Sequence, residues 1–167
     1  MSPQELQQIE LDIQDLREQL AGFRSTLAKS RPEDKVMLNQ LIRDKRKEIQ
    51  NFEQEKWEII AGMVANWRIS DDEAQQIVTE TVIEVQAVSG QTHDVPSTEI
   101  LELLQEILAK LNEPGKPAAA RLKAAFSVLP PFVSISYEAE LDTESTFQRY
   151  LPTFSNWIRE VRDRPKK

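Results

Sequence analysis

Apolar side chains recur along the first 27 residues at alternating intervals of three and four. This spacing averages 3.5 residues, which is typical of a helix with one continuous apolar seam at heptad positions a and d. The seam comprises Leu6, Ile9, Ile13, Leu16, Leu20, Phe23 and Leu27. Ser2, Pro3 and Glu5 form a favourable helix start. The sequence therefore predicts a long amphipathic helix that ends before Pro32, because proline cannot continue the preceding turn.

A second heptad-like run begins at Pro32, where Glu33 and Asp34 suit the positive end of a helix dipole. Its seam comprises Leu38, Ile42, Ile49, Phe52, Ile59 and Met63. Lys45 and Lys56 occupy the two remaining seam positions. Either their aliphatic chains lie along the edge of the seam while their ammonium groups reach water, or the two charges set the register and the oligomeric state of the coiled coil. Two long heptad helices joined by a short turn predict an antiparallel coiled-coil hairpin over residues 1–67.

The middle segment, residues 68–116, predicts a pair of amphipathic helices. The first follows the capping box of Ser70 and Glu73 and carries many β-branched residues, but its apolar stripe has a helical period. The second begins at Ser97 or Thr98 and ends at the proline- and glycine-containing breaker 112–117. Residues 69–116 contain ten acidic and two basic side chains, a difference of −8. This acidic surface either keeps the protein in solution or, if it binds a partner, is where a basic partner surface would dock.

The last segment, residues 117–167, predicts a helix, a strand and a helix. An alanine-rich helix ends at Pro130. Residues 133–141 then alternate strictly between apolar and polar side chains, which predicts a strand that pairs with another copy, a partner or an unrecognised strand, or else lies extended in a groove. An aromatic-rich final helix follows, which Pro152 would kink or split. Its aromatic side chains anchor it to the rest of the chain or, alternatively, bind a partner.

These elements together predict a mainly α fold, with a long antiparallel coiled-coil hairpin followed by a small helical domain that contains one extended strand. Composition then narrows the chemistry. The 167 residues include no cysteine and one histidine, which excludes thiol nucleophiles, cysteine-ligated metals and multi-histidine sites. We interpret His93 beside Asp94 as an ordinary loop pair and Asp71, Asp72 and Glu73 as helix-capping acids. We therefore expect no catalytic residue, no metal site and no cofactor.

Charge and targeting signals concern the environment and the partners of the protein. The net charge of −7 argues against non-specific nucleic-acid binding. The basic cluster 43–47 is interpreted as a solvated helix face, because acidic residues surround it. The sequence shows neither a signal peptide nor an apolar run long enough to span a membrane, so we expect a cytoplasmic protein and disfavour a membrane partner.

A resemblance adds to this picture. Leu122–Ala125, Leu129–Pro131, Ser134–Glu144 and the aromatic end resemble a small C-terminal module of cyanobacterial proteins, similar to the tails of pentapeptide-repeat and NACHT-type signalling proteins. The resemblance covers about residues 117–160. It implies an interaction module and brings no catalytic motif. The N-terminal coiled coil lies outside this pattern.

The predicted function is that of a non-enzymatic adaptor or oligomerisation protein, in a bacterial signalling or defence assembly. Its partner is another protein or a second copy of the chain. The coiled-coil seam would mediate one contact. Another would be made by Val133, Ile135, Tyr137, Phe147, Tyr150, Phe154 and Trp157. The alternatives are a membrane-active effector that uses residues 117–137, and a ligand-binding helical bundle with convergent polar groups.

Overall fold

The computed structural model describes residues 3–91, 96–130 and 143–163. Within these ranges the chain is mainly helical, as predicted, and contains no strand. The predicted strand 133–141 lies outside the described residues. The chain divides into two compact units, unit 1 from Met1 to Ile59 and unit 2 from Ile60 to Lys167.

Unit 1 is built from two helices, α1 (Pro3–Ala28) and the part of α2 (Pro32–Ala65) that ends at Ile59. Both helices begin at a proline, which needs no amide donor in the first turn. The connection is short: the amide of Lys29 donates to the carbonyl of Thr26, and the amide of Asp34 donates to the carbonyl of Arg31. The helix boundaries predicted from the heptad spacing are confirmed to within two residues.

Unit 2 is organised around one helix, α3 (Asp71–Ser89). The other described helices that lie wholly within it are α4 (Thr98–Leu111), α5 (Ala118–Phe126), α6 (Thr143–Tyr150) and α7 (Pro152–Asp163). Helix α3 contacts all four of them, and α5 also packs on α4 while α6 packs on α7. Each helix therefore buries its apolar face against α3 or a neighbour of α3.

Side-chain caps fix where α3 and α4 begin. The Ser70 hydroxyl accepts a hydrogen bond from the amide of Glu73 at 3.3 Å, and the Ser97 hydroxyl accepts one from the amide of Ile100 at 3.4 Å. Each cap satisfies a backbone donor that the first helical turn leaves unpaired. The capping box and the helical period correctly predicted α3 as a helix, despite its β-branched residues.

Helix α7 begins at Pro152, with Leu151 between it and α6. Proline therefore splits the aromatic segment into two helices, one of the two outcomes expected for it. The first turn of α7 is capped from another helix: the Glu84 carboxylate on α3 accepts from the amide of Thr153 at 2.8 Å. A negative charge at the positive end of α7 stabilises the second helix of the pair.

Aromatic side chains fill the core of unit 2. Phe154 is fully buried, with its ring centroid 5.6 Å from that of Trp157 and 6.5 Å from that of Phe147. Phe126 on α5 meets Trp157 edge-to-face at 6.4 Å. These edge-to-face and tilted contacts match the geometry that aromatic quadrupoles favour. The cluster thus joins α5, α6 and α7.

A buried hydroxyl on α3 gives a test of this core. Thr81 is fully buried, and its hydroxyl has no hydrogen-bond partner within the part of the chain that the structure describes. Replacing Thr81 with valine removes an unpaired polar atom at almost constant volume. We expect Thr81→Val to raise the free energy of unfolding by about 1 kcal/mol, measured by urea denaturation. Thr79→Val, on the exposed side of the same helix, is the control and should change little; a destabilising Thr81→Val would contradict this packing.

Candidate interaction surface

The predicted seam residues face inward to different degrees. Those that are buried are Leu6, Ile9, Ile13, Leu20, Leu38, Ile42, Ile49 and Ile59. Those that are only half-buried are Leu16, Phe23, Leu27, Phe52 and Met63. A pair of helices has a small interior, so part of each apolar stripe remains in contact with water.

A charged group lies beside the seam. The Glu53 side chain is only 7% exposed and accepts from the Arg17 guanidinium at 2.6 Å. Its second carboxylate oxygen accepts from the indole Nε1 of buried Trp57 at 3.2 Å. A buried carboxylate is tolerated only when its oxygens are satisfied in this way. Sequence reasoning missed this group, although Glu53 and Trp57 flank the seam at an interval of four residues.

The two seam lysines have different surroundings. Lys56 is buried, with its ammonium 3.8 Å from the Glu10 carboxylate and 5.6 Å from the centre of the Trp57 ring. Lys45 is partly exposed and pairs with Glu48 on its own helix at 3.3 Å. The ion pair of Lys56 therefore joins α2 to α1, whereas that of Lys45 lies within α2.

The opposite side of α2 is exposed over a long distance. We define the outer strip of α2 as the exposed residues on this side of the helix: Val36, Gln40, Arg43, Asp44, Lys47, Asn51, Glu55 and Glu58. Their spacing places them on one face of the helix. Before Asn51 the strip carries two basic side chains and one acidic side chain, and after Asn51 it carries two acidic side chains.

Large apolar side chains are exposed mainly in unit 1. Among the described residues those exposed are Leu11, Val36, Met37, Leu41 and Ile83, and the first four belong to unit 1. Val36 is 76% exposed and Met37 is 62% exposed. Val36 begins the outer strip, whereas Met37 lies beside the strip, one turn before the exposed Leu41.

The predicted partner-binding aromatics of the C-terminal segment lie in the core. Phe147, Phe154 and Trp157 are at most 3% exposed, and this packing is that of an anchoring helix. Tyr150 is half-buried, with the Arg149 guanidinium 5.3 Å from its ring centre. Val133, Ile135 and Tyr137 lie outside the described residues. Partner binding by these residues stays a prediction. None of them belongs to unit 1.

Among the described residues, no group of three or more His, Cys, Asp or Glu side chains is placed to hold a metal ion. No described helix is long and apolar enough to cross a membrane. Asp71 accepts from the amide of Ala119 at 3.3 Å, which gives this acid a structural role at the start of α5. His93 and Asp94 lie outside the described ranges.

Comparison with known proteins returned no similarity: the chain matches no family model, no curated protein and no solved structure. The surface chemistry of unit 1 is therefore the basis for a functional conclusion.

Proposed function

We propose that the chain is a non-enzymatic interaction protein that associates with further copies of itself through unit 1. In this proposal α1 and α2 form an antiparallel coiled-coil hairpin that serves as the oligomerisation element. Unit 2, with its acidic helices and the segment 133–141, presents a surface to another protein. The resemblance of residues 117–160 implies an interaction module, and the setting that we propose for it is a bacterial signalling or defence assembly.

The ion pairs support the hairpin. Arg17 contacts Glu53, whereas Glu10, nearer the start of α1, contacts Lys56, nearer the end of α2. This order is what two helices of opposite direction require. Buried seam residues on both helices support the same arrangement.

The exposed apolar side chains of unit 1 carry the proposal of self-association. Four large apolar side chains of unit 1, Leu11, Val36, Met37 and Leu41, are exposed. Association of copies would remove part of this surface from water, at roughly 25 cal/mol for each Å² buried. Within one chain, the buried Glu53 carboxylate between Arg17 and Trp57 would help to fix the register of α1 on α2, as polar groups do in coiled coils.

Sedimentation velocity of the full chain tests this function. We expect species with multiples of the 19.2 kDa chain mass, in proportions that increase with protein concentration. Replacing Val36 and Met37 together with serine should weaken association. Ile83→Ser, which removes a 59% exposed apolar side chain from unit 2, should leave association unchanged. A chain that sediments as a monomer at every concentration would overturn the proposal.

A further inference from the structure

We propose that Gly62 is a hinge at which α2 bends, so that the last turn of α2 moves with unit 2 while the longer part of the helix stays with unit 1. The inference goes beyond the proposed function and does not depend on it. It gives the chain a conformational device whether or not copies associate.

Helix α2 belongs to both units. It begins at Pro32 and ends at Ala65, and the boundary between the units lies between Ile59 and Ile60. Gly62 lies three residues after Ile59 and is the one glycine in the sequence of α2. The boundary follows from which residues pack together, whereas the glycine is a property of the sequence. Two independent observations therefore coincide within one helical turn.

Neither packing nor backbone geometry requires glycine at this position. A Cβ atom added at Gly62 would meet no atom within 4 Å, and the positive φ that favours glycine occurs at Gly115 instead. Alanine would therefore fit at position 62 without strain. In a helix interior, glycine lowers the helical population roughly fivefold relative to alanine. The chain thus has a residue that weakens α2 where the boundary between the units falls.

Helix α2 is fixed to different neighbours before and after Gly62. Six residues before it, the Lys56 ammonium lies 3.8 Å from the Glu10 carboxylate on α1. Three residues after it, the carbonyl of Ala65 accepts a hydrogen bond from the Lys123 ammonium on α5 at 3.3 Å. Bending of α2 is therefore concentrated in residues 57–64, and Gly62 has the lowest helix propensity among them.

The carbonyl of Gly62 has a second partner ready for a bent helix. It accepts from the backbone amide of Asn66 at 3.3 Å and from the side-chain amide of the same residue at 3.1 Å. When the backbone hydrogen bond opens, the side chain still satisfies this carbonyl. Side-chain bonds to the preceding turn are also associated with helix bending. Opening at Gly62 therefore leaves its carbonyl paired.

Helix α1 contains a matched site at which no boundary falls. Gly22 follows Ala21 as Gly62 follows Ala61, and a Cβ atom added at Gly22 would also meet nothing within 4 Å. Its carbonyl likewise accepts from a side chain, the Thr26 hydroxyl, at 3.0 Å. All of α1 lies within unit 1. Gly22 thus controls for the general effect of a glycine within a helix.

Distances between two spin labels on the full chain test the hinge. The chain has no cysteine, so Arg43→Cys with Glu102→Cys carries one label on each unit, both at exposed positions. Dilution with excess unlabelled chain keeps labels of different copies apart. We expect a broad distance distribution when Gly62 is present. Gly62→Ala should narrow it, with the population of the bent conformations lowered about fivefold.

Three further variants show whether the position of the glycine decides the result. Gly22→Ala should leave the distance distribution unchanged. Ala61→Gly adds a second glycine at the boundary and should broaden the distribution, whereas Ala21→Gly should not. Far-UV circular dichroism confirms that each variant is folded.

The outcomes separate the hinge from the proposed function. A distribution that Gly62→Ala leaves unchanged, or that Gly22→Ala narrows equally, would overturn the hinge and leave self-association standing. A chain that sediments as a monomer but shows the expected narrowing in Gly62→Ala would overturn self-association and support the hinge.

Discussion

Phe154→Ala is expected to lower the free energy of unfolding of unit 2 by about 3–5 kcal/mol. Phe154 is fully buried and lies between the rings of Trp157 and Phe147, at 5.6 and 6.5 Å. Truncation removes this contact area and leaves a cavity that the neighbouring helices fill only in part. The aromatic contacts between rings are lost in addition.

Urea denaturation followed by far-UV circular dichroism measures this effect. Phe154→Leu is the informative companion, because leucine keeps much of the apolar volume and should cost less than alanine. Ile83→Ala, an exposed site on α3, is the control and should shift the midpoint little. A loss of less than about 1 kcal/mol for Phe154→Ala would contradict a core centred on this ring.

Glu53→Ala is expected to lower the free energy of unfolding of unit 1 by about 1–3 kcal/mol. The substitution leaves the buried Trp57 indole without the acceptor that it has at 3.2 Å, and it deprives Arg17 of the carboxylate at 2.6 Å. The Arg17 side chain is 45% exposed, so water compensates much of its loss. Most of the cost therefore arises at the indole, which is buried.

Glu53→Gln separates the hydrogen bonds from the charge. The amide oxygen still accepts a hydrogen bond, so this variant should lose less stability than Glu53→Ala. Glu18→Ala, an exposed acid on α1, should have a negligible effect. The measurement is again urea denaturation, and equal stability of wild type and Glu53→Ala would show that the buried group does not hold α1 to α2.

The helices of this fold could be predicted from the sequence, because the residues that signal each helix lie within it or next to its ends. The intervals of three and four residues predicted α1 and α2, and Ser70 with Glu73 predicted the start of α3. These signals depend on residues within one or two helical turns. The division of the aromatic segment at Pro152 follows from the proline ring in the same way.

Contacts between distant residues could not be predicted in this way. Glu84 caps α7 across 69 residues of sequence, and Glu53 meets Arg17 across 36. Both acids look like ordinary surface charges in the sequence, because their partners become neighbours only when the helices pack. The burial of Phe154 and Trp157 likewise follows from the packing of α7 on α3. From the sequence alone, these side chains could either anchor the helix in the core or bind a partner.

The basic cluster 43–47 shows a second limit of the sequence. Arg43, Lys45, Arg46 and Lys47 lie close together in the chain, so the sequence groups them as one cluster. The structure separates them, because Arg43 and Lys47 are exposed whereas Lys45 and Arg46 are half-buried. Exposure to solvent therefore differs among neighbouring bases of one helix.

Oxidative cross-linking of a single introduced cysteine tests self-association through unit 1 most directly. The chain has no cysteine, so Met37→Cys would carry one thiol, placed among the exposed apolar side chains of unit 1 that the proposal buries between copies. Thr79→Cys places one thiol on the exposed side of α3 as a matched control. We predict that Met37→Cys forms a disulfide-linked dimer of twice 19.2 kDa much faster than Thr79→Cys. Equal, slow cross-linking of the two variants would contradict the account.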